Sequence, residues 1–277
     1  MFLVALLILL NLLLISIILT KNNPKTNINN TDAGIIQNSN LSLIYQLQNA
    51  EYNELLRLDA NYIAIDIDDA NLTTKQIAQL QNNGKTVLSY LSIGEAESYR
   101  NYWNDSWNSA PPKWLDKENP DWEGNYKVKY WSDEWQDIIS DRLEKIALAG
   151  FDGVLLDNVD TYEYYEESGR ESAGQEMIDF VKKIREKGKA INPEFLIVAQ
   201  NAVELYVVEE YRKVVDSIVK EDLWYDDNNL QNSEETLSSL LYLEKAINDG
   251  KLVFVIDYPT EREKICDFYS KSREKGF

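Results

Sequence analysis

From residue 42 onward, short apolar or β-branched runs alternate with longer amphipathic ones, and the short runs repeatedly end in an acid or an amide. Apolar runs of four to eight residues read as buried strands, and the longer periodic runs read as helices. The strand candidates are 42–46, 62–67, 86–93, 153–156, 195–199, 217–219 and 252–256. Helical patterns occupy 73–82, 133–149, 172–189, 202–213, 233–248 and 260–275. Repeated strand–helix alternation means a parallel α/β fold, either a (β/α) barrel or a doubly wound sheet. The acids decide between the two. Asp66 and Asp68, Glu95, Asp157, Glu221 and Asp257 each follow a strand, and Asn201 follows another. Buried strand ends do not tolerate unpaired carboxylates. So many converging acids suit the C-terminal mouth of a (β/α)8 TIM barrel, where that fold carries its active sites. Only seven strands are found, and Gly276-Phe277 ends the chain where an eighth would begin. The expectation is a barrel lacking, or truncated in, its last strand.

Three segments are expected. Residues 2–19 form an apolar run interrupted only by Asn11 and Ser16. As a helix it would span most of a bilayer. No basic residue precedes it and no small-x-small cleavage signal follows, so 1–20 reads as an uncleaved signal anchor, with a cleaved signal peptide as the alternative. Lys21 and Lys25 after the span favour a cytoplasmic domain by the positive-inside rule, but long domains often ignore that rule. The expected arrangement is a membrane-anchored protein with its catalytic domain outside the cell, or a secreted one if the segment is removed. Residues 21–40 are Asn-rich with Pro24 and Gly34, a flexible tether. Residues 41–277 are the barrel.

Composition narrows the chemistry. The chain has no histidine and one cysteine, Cys266. That excludes Ser-His-Asp and Cys-His catalysis, His-ligated metals and an intrachain disulfide, leaving acid–base work to Asp, Glu, Tyr or Lys. The net charge of −19 argues against a nucleic-acid partner and favours neutral or cationic substrates. Seventeen Tyr and seven Trp supply rings with an apolar face and a polar tip, which suits sugars as well as cores. Four of the Trp (103, 107, 114 and 122) fall in the long third connection, read as a functional aromatic loop, with Trp103 and Trp107 expected in the substrate cleft.

Glycoside hydrolysis needs two carboxyl groups flanking the scissile bond, and their separation distinguishes retention from inversion. By position, Asp157 and Glu221 form the best pair, with Asn158 beside Asp157 as a hydroxyl binder. A cation site at Asp66, Asp68 and Asp69 is a weaker alternative, because no calcium-loop spacing is present.

The segments SYLSIGEAESYR (89–100), LLDN (155–158), AQNA (199–202), KEDLWY (220–225) and VIDYP (255–259) together resemble glycoside hydrolase family 114, and its prokaryotic branch most closely. The similarity spans about residues 41–277. It implies a (β/α)8 barrel, endo-α-1,4-polygalactosaminidase activity on a cationic polymer, and no cofactor or metal. It implies Asp157 as nucleophile and Glu221 as general acid/base. Asp66, Glu95, Asn201, Asp257 and Tyr258 would line the cleft, and Tyr90 joins Asn158 among the substrate-binding candidates. The family's closing strand begins at a Gly-Phe, where this chain has Gly276-Phe277. A non-catalytic cell-surface glycan-binding protein is the competing expectation, which would keep the cleft without needing the acid pair.

Overall fold

A computed structural model describes residues 41–277. The expected anchor and tether, residues 1–40, lie outside the described residues. Among those described, no helix is long and apolar enough to cross a membrane.

Seven parallel strands form a nearly closed barrel: β1 (Leu43–Gln46), β2 (Tyr62–Ile65), β3 (Thr86–Ser92), β4 (Gly153–Asp157), β5 (Leu196–Gln200), β6 (Ser217–Glu221) and β7 (Leu252–Ile256). Each pairs with the next in chain order, and β1 and β7 are the two edges. Tyr62 of β2 stands opposite Thr86 of β3, but Leu88 of β3 stands opposite Gly153, and Val198 of β5 opposite Ser217. These offsets stagger the strands, as tilted strands must be staggered to curl toward closure.

Each strand is followed by a helix: α1 (Tyr52–Arg57), α2 (Thr74–Asn82), α3 (Asp133–Ala149), α4 (Ala173–Ile191), α5 (Glu209–Val214), α6 (Ser233–Asn248) and α7 (Arg262–Lys275). Alternating side chains point to opposite strand faces. Accordingly there are two cores. Ala64, Leu88, Leu155, Val198, Val219 and Phe254 fill the barrel interior. Ile63, Ile65, Val87, Val154, Leu156, Ile197, Ile218 and Val253 face the helices. Strands buried on both faces read as continuous apolar runs, which is why they were legible.

Two connections differ from expectation. Residues 202–213 do not form one helix. A 3-10 turn, Val203–Val207, precedes α5, with Val208 extended between them. Ala202 enters in the left-handed region (φ 50°), and three valines weaken helical propensity there. The third connection is not a loop but a small antiparallel sheet of Glu95–Glu97, Leu115–Glu118 and Asn125–Val128.

Its tryptophans mostly anchor it. Trp103 packs on Trp107 and Tyr126, Trp107 on Trp114, and Trp114 on Trp135 of α3, with ring centroids 5.0–5.2 Å apart. Trp135 is buried and donates from Nε1 to the Ile93 carbonyl at 2.8 Å. Trp103 and Trp107 were expected in the cleft. They are half-buried in this chain of rings, whose packing withdraws part of their apolar surface from water.

Candidate active site

The last inward-facing residue of each strand falls at the C-terminal mouth. Continuing the inward alternation to each strand's C-terminal end or just past it gives Tyr45, Asp66, Tyr90 with Ser92, Asp157, Gln200, Glu221 and Tyr258. Asp157 ends β4, Glu221 ends β6, and Gln200 ends β5 between them.

The two acids are held differently. Asp157 accepts from the Tyr90 hydroxyl at 2.8 Å, from the Asn158 backbone N–H at 2.8 Å, and from Asn158 Nδ2 at 3.3 Å. The Asn158 amide also donates to Ser92 Oγ at 3.0 Å, fixing its orientation. Burial raises the Asp157 carboxyl to about 7, aided by the negative charge of Glu221, while the Tyr90 hydrogen bond pulls the other way. Glu221 accepts from Gln200 Nε2 at 2.7 Å and from the Tyr258 hydroxyl, whose ring is 44% exposed. The backbone N–H of Glu221 donates to Asn201 Oδ1 at 3.0 Å, tying the ends of β5 and β6 together.

The chain turns abruptly after each of these strand ends. Asn158 (φ 58°), Asn201 (57°), Ala202 (50°) and Asp222 (52°) all lie in the left-handed region. Such conformations cost free energy in non-glycine residues and recur at functional sites. Gly94, in the SIGE segment, has a steric cause. A Cβ there would lie 2.0 Å from the Asn158 carbonyl oxygen, so only glycine lets this segment pass the turn that carries Asp157.

Three expected substrate-binding acids stand at the mouth with protein partners. Asp66 pairs with Arg100 and accepts from the Asp68 N–H. Arg100 also binds Glu97 at 2.6 Å, and Asp68 binds Arg142 at 2.9 Å. Asp69 accepts from the Ala50 N–H. The residues of the alternative cation site are thus spent on arginines and a backbone amide. Glu95, 1% exposed, takes Lys127 at 3.1 Å and the Asn119 amide at 2.9 Å. Asp257 accepts from the backbone N–H groups of Leu223, Trp224 and Tyr225, all at 2.9 Å, and so shapes the loop after Glu221.

Three further residues belong to the site. Tyr45 stands near enough to Asp157 and Glu221 that their charges, after burial, push its phenol well above the usual range. Asp160, one turn beyond Asp157, is raised by burial but eased by Asn201, Lys127 and Lys220. Gln200 is 2% exposed and its Oε1 has no partner among the described residues. Tyr45 and Gln200 occupy the same last inward position as the acids, a signal carried by the strand alternation and not by charge.

The sequence model for glycoside-hydrolase family GH114 matches residues 25–277. An uncharacterised protein of Methanocaldococcus jannaschii is 38% identical, over 92% of this chain and 81% of its own length. Among solved structures, the glycoside hydrolase domain of PelA from Pseudomonas aeruginosa superposes with a TM-score of 0.69 at 17% identity, over 85% of this chain and 92% of that one. Ega3 of Aspergillus fumigatus, solved in complex with galactosamine, gives a TM-score of 0.59 at 25% identity, over 79% of this chain and 75% of that one.

Proposed function

Because the chain belongs to glycoside-hydrolase family GH114 and is therefore a glycosidase, we propose that it is an endo-acting enzyme that cleaves an α-1,4-linked galactosamine-type polymer with retention. One observation carries this reading. Asp157 and Glu221 end β4 and β6 at the same mouth, near enough for the charge of Glu221 to act on Asp157, and each is gripped by its own phenol and amide. Family membership removes the motive for a purely binding role.

In the proposed reaction, Asp157 attacks the anomeric carbon as the bond to the leaving oxygen breaks. Glu221 gives its proton to that oxygen. Water then attacks the same carbon, loses a proton to Glu221 and displaces Asp157. Raised acids more often serve as the proton donor. Here both acids accept only from donors, Asp157 from Tyr90 and Asn158 and Glu221 from Gln200 and Tyr258, so the hydrogen bonds do not separate the two roles and Asp157 is assigned as nucleophile on the family resemblance. The free Oε1 of Gln200 is suited to accept from a sugar hydroxyl or ammonium. Asp66, Glu95 and Asp257 act through the groups they hold.

The choice of an amino sugar rests on the similarity to Ega3 and on the acidic chain. The test is reducing-end release from partially deacetylated galactosamine polymer and from a neutral hexose polymer. Release from the first that is lost in Asp157→Asn supports the reading; preferential release from the neutral polymer would reject the amino-sugar substrate. In the same reading, residues 1–20 anchor the enzyme with the barrel outside the cell. Protease added to intact cells would then digest the barrel, and full protection would refute that topology.

A further inference from the structure

The sheet inserted after β3 carries two large exposed aromatic side chains: Tyr99 is 65% exposed and Trp122 is 63% exposed. The other tryptophans of this insert pack into the chain of rings described above, so these two need a separate explanation.

Tyr99 is exposed yet fixed. Its hydroxyl donates to Glu97 Oε1 at 2.6 Å, and the Arg100 guanidinium lies 5.2 Å from its ring centroid. Arg100 is itself buried and ion-paired to Glu97 and Asp66. A ring pinned at its hydroxyl and backed by a guanidinium has lost the freedom that a ligand would otherwise have to remove. The turn carrying Trp122 closes against it. The Ser98 N–H donates to the Gly124 carbonyl at 2.7 Å, and a Cβ on Gly124 would lie 4.0 Å from Tyr99 Cδ1.

Buried Arg100 and Tyr90 link this rim to the catalytic pair. Arg100 also lies 5.8 Å from the Tyr90 ring centroid, and Tyr90 donates to Asp157. The Tyr99 and Tyr90 rings are therefore within about 11 Å of each other, the sum of those two distances, with Arg100 between them. That is the reach of a short oligosaccharide.

We propose that Tyr99, with Trp122 in the neighbouring turn, forms a stacking platform for a pyranose ring of the polymer remote from the bond being cut. The C–H face of a pyranose is apolar, and a rigid half-exposed ring is its natural support. The platform directs the bound chain from the Asp157–Glu221 pair across Tyr90 and Arg100 toward the β3 insert. This rests on the polysaccharide reading above.

The test uses the full chain in an Asp157→Asn background, so that binding is measured without turnover. Partially deacetylated galactosamine polymer and a short oligosaccharide of the same sugar are titrated calorimetrically. Tyr99→Ala and Tyr99→Leu should each weaken polymer binding about tenfold, whereas Tyr99→Phe stays within about threefold because it keeps the ring. The loss should shrink for the short oligosaccharide, which does not reach the platform. Polymer binding unchanged by Tyr99→Ala overturns the platform alone. Equal losses for Tyr99→Phe and Tyr99→Leu overturn it in favour of a role for the hydroxyl on Glu97. Failure of the Asp157→Asn parent to bind any polymer overturns the substrate reading, and the platform with it.

Discussion

Asp157 concentrates the opposing demands of this site in one side chain. Burial holds its carboxyl near 7 while the Tyr90 hydroxyl favours the charged form. If Asp157 is the nucleophile, kcat/KM rises with pH through about 7, since only the ionised form attacks. Tyr90→Phe removes a donor to the carboxylate, so this acidic limb should move up by about one pH unit. A limb that stays put would mean the hydrogen bond does not govern the titration. The same burial has a cost in stability. A carboxyl with a raised folded pKa binds more protons folded than unfolded, so stability falls as pH rises from about 4 to about 7. Asp157→Asn should therefore stabilise the protein at pH 8, by on the order of 2–4 kcal/mol, and confer little at pH 4. Equal unfolding midpoints at pH 8 would contradict the assigned burial cost.

At the scale of elements, the site is a product of strand ends and one insert. Trp114 sits between Trp107 and Trp135 and joins the inserted sheet to α3. Trp114→Ala should cost about 3–5 kcal/mol in urea unfolding, the range for a buried aromatic. A change below about 1 kcal/mol would mean the insert docks independently of the ring chain. The strands were legible because both their faces are buried and their runs are uninterrupted. The positions of Asp157 and Glu221 at strand ends were legible because each acid directly follows an uninterrupted apolar run. The inserted sheet was hidden, since its strands of three or four residues, such as LDKE at 115–118, carry charge and little alternation. The partners of Asp66, Glu95 and Asp257 were hidden for a different reason. Arg100, Lys127 and the 223–225 amides converge on them only through tertiary folding. The packing of Trp103 and Trp107 was hidden because sequence shows that a ring is present, not which rings it meets.

The whole molecule supplies charge and an open seam. For the proposed polycationic substrate, the chain's net charge of −19 predicts electrostatic attraction. Raising ionic strength should raise KM for a cationic polymer by roughly an order of magnitude between dilute buffer and molar salt, through screening. A neutral polymer should respond far less. A salt-independent KM for the cationic polymer would limit recognition to short-range contacts. β1 and β7 do not pair with each other among the described residues, yet the Tyr62 and Phe254 rings meet at 5.1 Å inside the barrel. The interior is thus packed across the seam, and the acid pair lies on β4 and β6, neither of them an edge strand. The central claim is that those two acids act across one glycosidic bond as nucleophile and acid/base. Proton NMR of the first product released from an α-1,4-linked galactosamine polymer tests it most directly. The account predicts that the α anomer appears first and mutarotates afterwards, whereas initial release of the β anomer would contradict a nucleophilic Asp157.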